Sequence, residues 1–452
     1  MTMKLFPFQQ QDVDHLCSQR SALIANDMGT GKTYEAIARD WNIRDQQQGA
    51  ITLVVAPLTI LQDVWKQHFD ELTSLKTVVV DPKDRASSWR KFKQARADVY
   101  CVHWEALRLM PELRVVHWDH VIADECHRMK NRKAQQTRAL KAIPADWKTA
   151  MSGTPVVNRP DELWSILNWL WPKKYGSYWR FFNTYVETVT EFAKGHQYKR
   201  IVGPRELPRL HRELAPFFVR RRKKDVLPDL PDKYYTEIKV DLTSQQRRVY
   251  NQMRDEMIAW IGQQEDEVLP APVVIAQLTR LQQFAVAYAE YTDAGRIRLS
   301  EPSSKLDALM EILDQTEDKV VVFSRFKQLI HLGEGRMAEA KIPFVSLTGD
   351  TAQDERSGVV SRFQEGGARV FLGTIGAGGI GITLHSSSVV VFLDRDWSPA
   401  LNAQAEDRLH RIGQRNAVQV IDIVARSTVD LGKLQALDTK KSWIRKVLGD
   451  PE

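Results

Sequence analysis

Cysteine is scarce: the 452 residues hold only three, Cys17, Cys101 and Cys126, scattered without a shared metal-ligand spacing. That scarcity argues against a disulfide scaffold and a structural zinc, and points to a reduced, intracellular protein. Long apolar runs are missing too. No stretch approaches the roughly 18 uninterrupted apolar residues of a membrane span, so no membrane partner is expected. The opening MTMKLFPFQQQ lacks the apolar run of a signal peptide. No fixed-period repeat or long low-complexity tract occurs, and the glutamines at 46–48 read as a loop. Neither sign of charge dominates strongly. With 64 basic against 57 acidic residues, the net charge of +7 permits a polyanionic partner without requiring one.

Hydrophobic residues make up 43% and charged residues 27%, enough for a sizeable core and a solvated surface. The length suits two or three domains. Short β-branched runs recur at 21–24, 52–56, 78–80, 99–102 and 121–123, each followed by a turn and a helix-like stretch. They resume at 319–323 (KVVVF), 345–347, 370–373, 389–393 and 418–424. Strands alternating with helices predict an α/β fold of two parallel-sheet lobes covered by helices. From about 160 to 304 the strand signal fades and aromatic residues and helix formers take over. The expected division is a first lobe at 1–160, a helical insertion and linker at 161–230, and a helical insertion of the second lobe at 231–303. The second lobe follows at 304–425, with a C-terminal helical tail or brace at 426–452.

The chemistry is concentrated in two places. SALIANDMGTGKTYEAIA runs strand, turn, helix, and its loop comprises Asp27, Met28, Gly29, Thr30, Gly31, Lys32 and Thr33. Glycines there let backbone N–H groups approach phosphate oxygens, and the following helix presents its positive end. Lys32 is placed to reach the outer phosphates and Thr33 to ligate Mg²⁺. The strict pattern has glycine where Asn26 stands. The run VIADECH at 121–127 sets Asp124 and Glu125 at the carboxyl end of an apolar strand, where ligand sites of parallel sheets lie. Asp124 suits the metal and Glu125 suits the hydrolytic water. A glycine-rich turn or a solvated strand end would explain either motif alone; together they point to ATP and Mg²⁺ as ligands.

Along nearly its whole length the chain resembles the Swi/Snf-type ATPases of helicase superfamily two, in a compact form without accessory domains. LFPFQ at 5–9 looks like the family's adenine-recognising segment, with Gln9 in the contacting position. APLTILQDVW at 56–65 is similar to its first DNA-backbone motif, and SGTP at 152–155 to the motif linking hydrolysis to lobe movement. FFVRRRKKDVLPDLPDK at 217–233 resembles the linker peculiar to this family. In the second lobe FLGTIGAGGIGITL at 371–384 and DRDWSPALNAQAEDRLHRIGQ at 394–414 match in order. The resemblance implies RecA-like lobes with ATP in the cleft between them. It implies nucleotide contacts at Gly379 and Gln404, and charge from Arg408 and Arg411 on the transferred phosphoryl group. It also implies DNA contacts at Pro57, Leu58 and Thr59 in the first lobe, and at Ser324, Arg325, Thr374 and Trp397 in the second.

The chain departs from the family's pattern at Cys126, which stands where alanine is usual and is expected to pack. It departs also at Asn26, Asp27 and Thr30 in the loop, and at Ser398 after Trp397. The basic run 220–224 fits contact with DNA phosphates, and equally a solvated helix end or a brace against the second lobe. Trp164, Trp169, Trp171 and Trp179 read as core before base-stacking. His127 either couples the acidic box to the neighbouring motif or is a buried, hydrogen-bonded histidine, and His410 is expected to be structural. The expected function is Mg²⁺-ATP-dependent translocation on double-stranded DNA through backbone contacts. The alternatives are a strand-separating or strand-annealing helicase on single-stranded or forked DNA, and an ATP-gated clamp. A bacterial or viral origin is expected, with no protein partner indicated.

Overall fold

The structure, a computed structural model, describes residues 4–80, 97–193, 196–263, 271–352, 355–378 and 382–450. Two units result: Met1–Thr188 with Ile201–Pro228 and Lys440–Glu452, and Val189–Arg200 with Asp229–Thr439.

In chain order the first unit lays down β1 (Ser21–Ile24), β2 (Thr52–Ala56), β3 (Thr77–Val79), β4 (Val99–His103), β5 (Trp118–Asp124) and β6 (Ala145–Met151). Next along the chain come a hairpin, β7 (Val186–Ala193) with β8 (His196–Pro204), of which Val189–Arg200 belongs to the second unit, and the two-residue β9 (Phe218–Val219) of the first. Seven strands form one sheet in the order β3-β4-β2-β5-β6-β1-β9, every pairing parallel. Within β2 the run LVVA at 53–56 is continuously apolar because both faces are covered. Leu53 and Val55 enter a core with Trp104 and Trp118, whereas Val54 and Ala56 enter another with Ile37 and Trp65.

The second unit repeats the logic. Its strands are β10 (Lys233–Val240), the hairpin β11 (Tyr288–Tyr291) and β12 (Ile297–Ser300), then β13 (Val320–Ser324), β14 (Phe344–Leu347), β15 (Val370–Thr374), β16 (Val389–Phe392) and β17 (Val418–Ala425). The parallel sheet runs β10-β17-β16-β13-β15-β14. Val320 and Val322 pack to one side, Val321 and Phe323 to the other.

The stretch 160–304 is not simply helical. Helices Leu163–Leu170, Tyr178–Tyr185, Ser244–Gln263 and Ala271–Val286 share it with strands β7 to β12. β10, KYYTEIKV, is an edge strand paired along its whole length with β17, so one side stays polar and no apolar run marks it. β6 was equally hidden, because ADWKTAM mixes polar and apolar residues inside the first sheet. Trp164 and Trp169 are buried as core, Trp171 packs on Phe217, and Trp179 is exposed. Among the described residues no helix is long and apolar enough to cross a membrane.

Candidate active site

The sheet order places β5, β6 and β1 side by side. Because the strands are parallel, the segments following them emerge at one edge: the glycine loop after β1, the acidic box after β5 and SGTP after β6.

The loop is built around two left-handed glycines, Gly29 at φ 77° and Gly31 at φ 85°. Gly31 also leaves room for Gln9, whose Nε2 lies 2.4 Å from where a Cβ would stand. Gln9 is buried and donates to the carbonyl of Thr30 at 2.9 Å. Gly153 of SGTP likewise admits Met28, whose Cγ lies 2.7 Å from the Cβ that glycine lacks. Thr30 donates its hydroxyl to the Asp27 carbonyl at 2.8 Å. Lys32 donates to the carbonyls of Asn26 and Asp27, both at 2.9 Å. Lys32 and Thr33 open the helix Lys32–Gln46, whose first turn no side chain caps, so its N–H groups face the loop.

Asn26 has a role that the family pattern did not suggest. It is fully buried and its amide donates to Asp12 at 2.9 Å and to Glu35 at 3.0 Å. Burial, helped by the charge of Asp12, pushes Glu35 up to about 8, so this carboxyl keeps its proton at neutral pH. The amide therefore ties two helices beneath the loop.

At the end of β5, Asp124 is gripped by two indoles. Trp65 Nε1 donates to its carboxylate at 2.9 Å, and Trp104 Nε1 to its backbone carbonyl at 2.9 Å. Glu125 sits at φ 49°, ψ 49°, a strained backbone for a residue with a side chain. Its carboxylate accepts from Ser152 Oγ at 3.2 Å and lies 3.1 Å from His127 Nδ1, which is itself 3.0 Å from Ser152 Oγ. Burial and the neighbouring charge of Glu125 push Asp124 above the usual carboxylate range. Burial opposes the charge of Glu125 as well, but the contacts to His127 and Ser152 and the charge of Lys32 outweigh it and hold Glu125 low. Cys126 is buried in the core, where burial raises its thiol well above the ordinary value.

These residues fit a magnesium-bound triphosphate. The described residues hold no cluster of three or more metal-ligating side chains. Thr33 and Asp124 are the oxygens available. The charge of Lys32 favours the ionised form of both Asp124 and Glu125, which puts the loop and the acidic box in one electrostatic field.

The first-unit DNA candidates follow β2: Leu58, in a short 3₁₀ turn after Pro57, is exposed, while the hydroxyl of Thr59 is buried. In the second unit Ser324 is turned inward, donating its hydroxyl to Asp394. Arg325 donates to Thr279 at 3.2 Å and pairs with Asp396 at 3.3 Å. Thr374 ends β15, and the ring of Trp397 lies under the Lys433 ammonium, 4.9 Å from its centroid. Gln404 is buried on the helix Pro399–Glu406. Arg408 and Arg411 both point at the Ile382 carbonyl, at 3.2 and 3.4 Å, and Arg411 also donates to Thr383 at 2.8 Å. His410 bonds the Pro231 carbonyl at 2.6 Å. Gly379 lies outside the described residues.

The profile described as SNF2-related domain matches residues 9–286, and the helicase conserved C-terminal domain matches 304–413. The chain belongs to the SNF2-related family. The transcription regulatory protein SNF2 of Saccharomyces cerevisiae is 29% identical over 445 residues, 91% of this chain and 25% of that protein. The ATP-dependent helicase brm of Drosophila melanogaster is 28% identical over 459 residues, 95% of this chain and 28% of that one. The chain thus spans about a quarter of these relatives. The SWI2/SNF2 ATPase core of Sulfolobus solfataricus, solved in complex with dsDNA, aligns with 24% identity over 100% of this chain and 98% of that chain, at a TM-score of 0.46.

Within this SNF2-related chain the basic run 220–224 is largely committed to ion pairs. Arg220 pairs with Asp27 and Asp450, Arg221 with Asp12, and Arg222 with Asp225, while Lys223 is buried. The residues that motif reading missed are Trp65, Trp104 and Asp12; Arg220 lay in the basic run already singled out, and only its partners Asp27 and Asp450 were hidden. Trp65 closes the quoted segment APLTILQDVW, so its position was visible. Its partner Asp124, 59 residues onward, was not.

Proposed function

We propose that the chain is a Mg²⁺-dependent ATPase that uses hydrolysis to move along double-stranded DNA. The observation that carries this reading is the pair at the end of β5: an ionised, backbone-strained Glu125 beside a buried Asp124, both in the field of Lys32. An ionised carboxylate held by Ser152 and His127 can orient a water and take its proton, the work of a general base. Asp124, fixed by Trp65 and Trp104, and Thr33 would hold the metal. Bound Mg²⁺ would neutralise phosphate charge and act as a Lewis acid. Gly29, Gly31 and the helix start present N–H groups to phosphates, Gln9 faces the loop from behind, and Lys32 adds the counter-charge. Arg408 and Arg411 are assigned to charge stabilisation during transfer, which requires them to leave the Ile382 carbonyl. Gly379 and Gln404 remain assigned to the nucleotide.

Membership of a family whose relatives include one named an ATP-dependent helicase supports coupling hydrolysis to nucleic acid. Pro57, Leu58, Thr59, Arg325, Thr374 and Trp397 are the proposed DNA contacts, and Ser324 is assigned to hold Asp394 behind them. Steady-state hydrolysis, titrated with duplex DNA, single-stranded or forked DNA, and RNA at two salt concentrations, tests the reading. Strong, salt-sensitive stimulation by duplex of any sequence is expected. Preference for single strands or forks would replace translocation by strand separation or annealing, and indifference to all three would remove nucleic acid as the track.

A further inference from the structure

Arg220, the first residue after β9, is a nearly buried cation that joins three segments of the first unit. Its side chain is 13% exposed. Nε and Nη2 donate to the two carboxylate oxygens of Asp450 at 3.0 and 2.8 Å. Nη2 also pairs with Asp27 at 2.8 Å, and Nη1 donates to the Ala25 carbonyl at 2.6 Å. Nη1 lies 3.4 Å from the carbonyl of Gly153 in SGTP.

Asp27 belongs to the phosphate loop and is held from several sides. Its other carboxylate oxygen accepts from the Lys223 N–H at 3.0 Å, and its carbonyl accepts from both Lys32 and Thr30. The carboxylate that Arg220 pulls on and the carbonyl that steadies Lys32 therefore sit on one residue. Asp450 is aimed with comparable care. The helix Val429–Leu448 ends at Gly449 in the left-handed region, φ 78°, with Gly449 N–H to Lys446 O and Asp450 N–H to Arg445 O. This is the Schellman ending, which fixes the direction of the residue after the glycine. His211 bonds the Lys446 and Val447 carbonyls, Val447 is buried in the core, and Lys440 donates to Asn158 at 3.1 Å.

We propose that Asp450 is a positioning residue for the nucleotide-phosphate loop, acting through Arg220 on Asp27. The inference rests on the loop binding ATP, as proposed above. A bidentate carboxylate fixes the plane of a guanidinium, and the fixed guanidinium fixes Asp27. By reciprocity, nucleotide on the loop tightens the hold on residues 440–450.

Simple electrostatics gives the opposite sign, which makes the test sharp. Asp27, Arg220 and Asp450 together carry one net negative charge near a site for a polyanion. If only that charge mattered, Asp450→Asn would improve nucleotide binding. If positioning dominates, Asp450→Asn weakens it about tenfold, the loss of one charge-assisted hydrogen bond.

The experiment measures binding of a fluorescent ADP, kcat and KM for ATP, and hydrogen exchange at 440–450 with and without ADP. It uses the full chain, Asp450→Asn, Asp450→Glu and Lys32→Ala. Expected are a raised Kd and KM in Asp450→Asn with a much smaller change in kcat, recovery in Asp450→Glu, and ADP-dependent protection of the tail in the wild type that Asp450→Asn lacks. Tighter or unchanged binding by Asp450→Asn overturns the proposal, as does tail exchange indifferent to ADP. If the wild type binds no ADP, or Lys32→Ala binds as well as it does, the ATP reading itself fails. Wild-type binding abolished by Lys32→Ala but untouched by Asp450→Asn defeats the positioning role alone.

Discussion

At the scale of single residues, the site sets two adjacent carboxyls apart by their surroundings. Asp124 is buried and its carboxylate accepts from Trp65 and the Glu125 N–H, whereas Glu125 is offered Ser152 and His127, with the charge of Lys32 acting on both. Glu125→Gln keeps the side chain's size and the Ser152 bond but removes the base. Hydrolysis should fall by roughly 10²–10⁴ with nucleotide binding retained. Single-turnover rates beside a binding titration check this, and near-normal turnover would place activation of the water elsewhere. Arg411→Ala is expected to lower hydrolysis by roughly 10³ while leaving ADP affinity within a few-fold, since its charge is assigned to the transition state. A large affinity loss without a rate defect would make Arg411 a ground-state ligand.

At the scale of elements, parallel strands carry the loops. β5, β6 and β1 are neighbours, so one sheet edge collects the acidic box, SGTP and the glycine loop from segments 21–33, 118–127 and 145–155. In the second unit, β10 and β17 are clamped to the helix Pro399–Glu406 by buried charge. Lys233 pairs with Glu406 and Asp407, and Arg395 with Glu406 and Asp422. Burial opposes the ionisation of Glu406, but those two cations outweigh it and hold it near 2, against an ordinary 4.5. A depressed carboxylate stabilises the fold fully above about pH 4.5, and that contribution is lost as the pH falls towards 2, at about 1.4 kcal/mol per unit. Glu406→Gln should therefore cost about 3 kcal/mol at pH 7 and flatten the fall in stability between pH 4.5 and 3. Denaturant melts at the two pH values decide it, and an unchanged acid slope would remove Glu406 as its source.

At the scale of the whole molecule, a net charge of +7 permits a polyanionic partner without specifying one, so the proposed DNA recognition rests on placed groups. Arg325 is partly exposed and held by Asp396 and Thr279. Arg325→Ala should leave DNA-free hydrolysis unchanged, weaken duplex stimulation for every sequence alike, and reduce the slope of log affinity against log salt by about 1. An unchanged slope would take Arg325 off the phosphate backbone.

Much of the candidate site was legible in the sequence because its motifs are local. A left-handed turn, a lysine and a helix start must be contiguous to cradle phosphate, and an acidic pair must directly end its strand. The valine runs of both sheets were legible for a similar reason, since strands covered on both faces need unbroken apolar residues. What the sequence did not determine is which distant group satisfies each buried polar atom. Trp65 and Trp104 on Asp124, Asn26 between Asp12 and Glu35, and Asp450 on Arg220 are joined across packed elements, and no local period encodes them. The same holds for β6 and β10, whose sequences carry polar residues and show no apolar run, and whose strand character lies in their pairing with β5 and β1 and with β17. Ser324, expected to face DNA, is turned to Asp394 because a hydroxyl at a buried strand end takes the nearest acceptor, and only the tertiary structure supplies that acceptor.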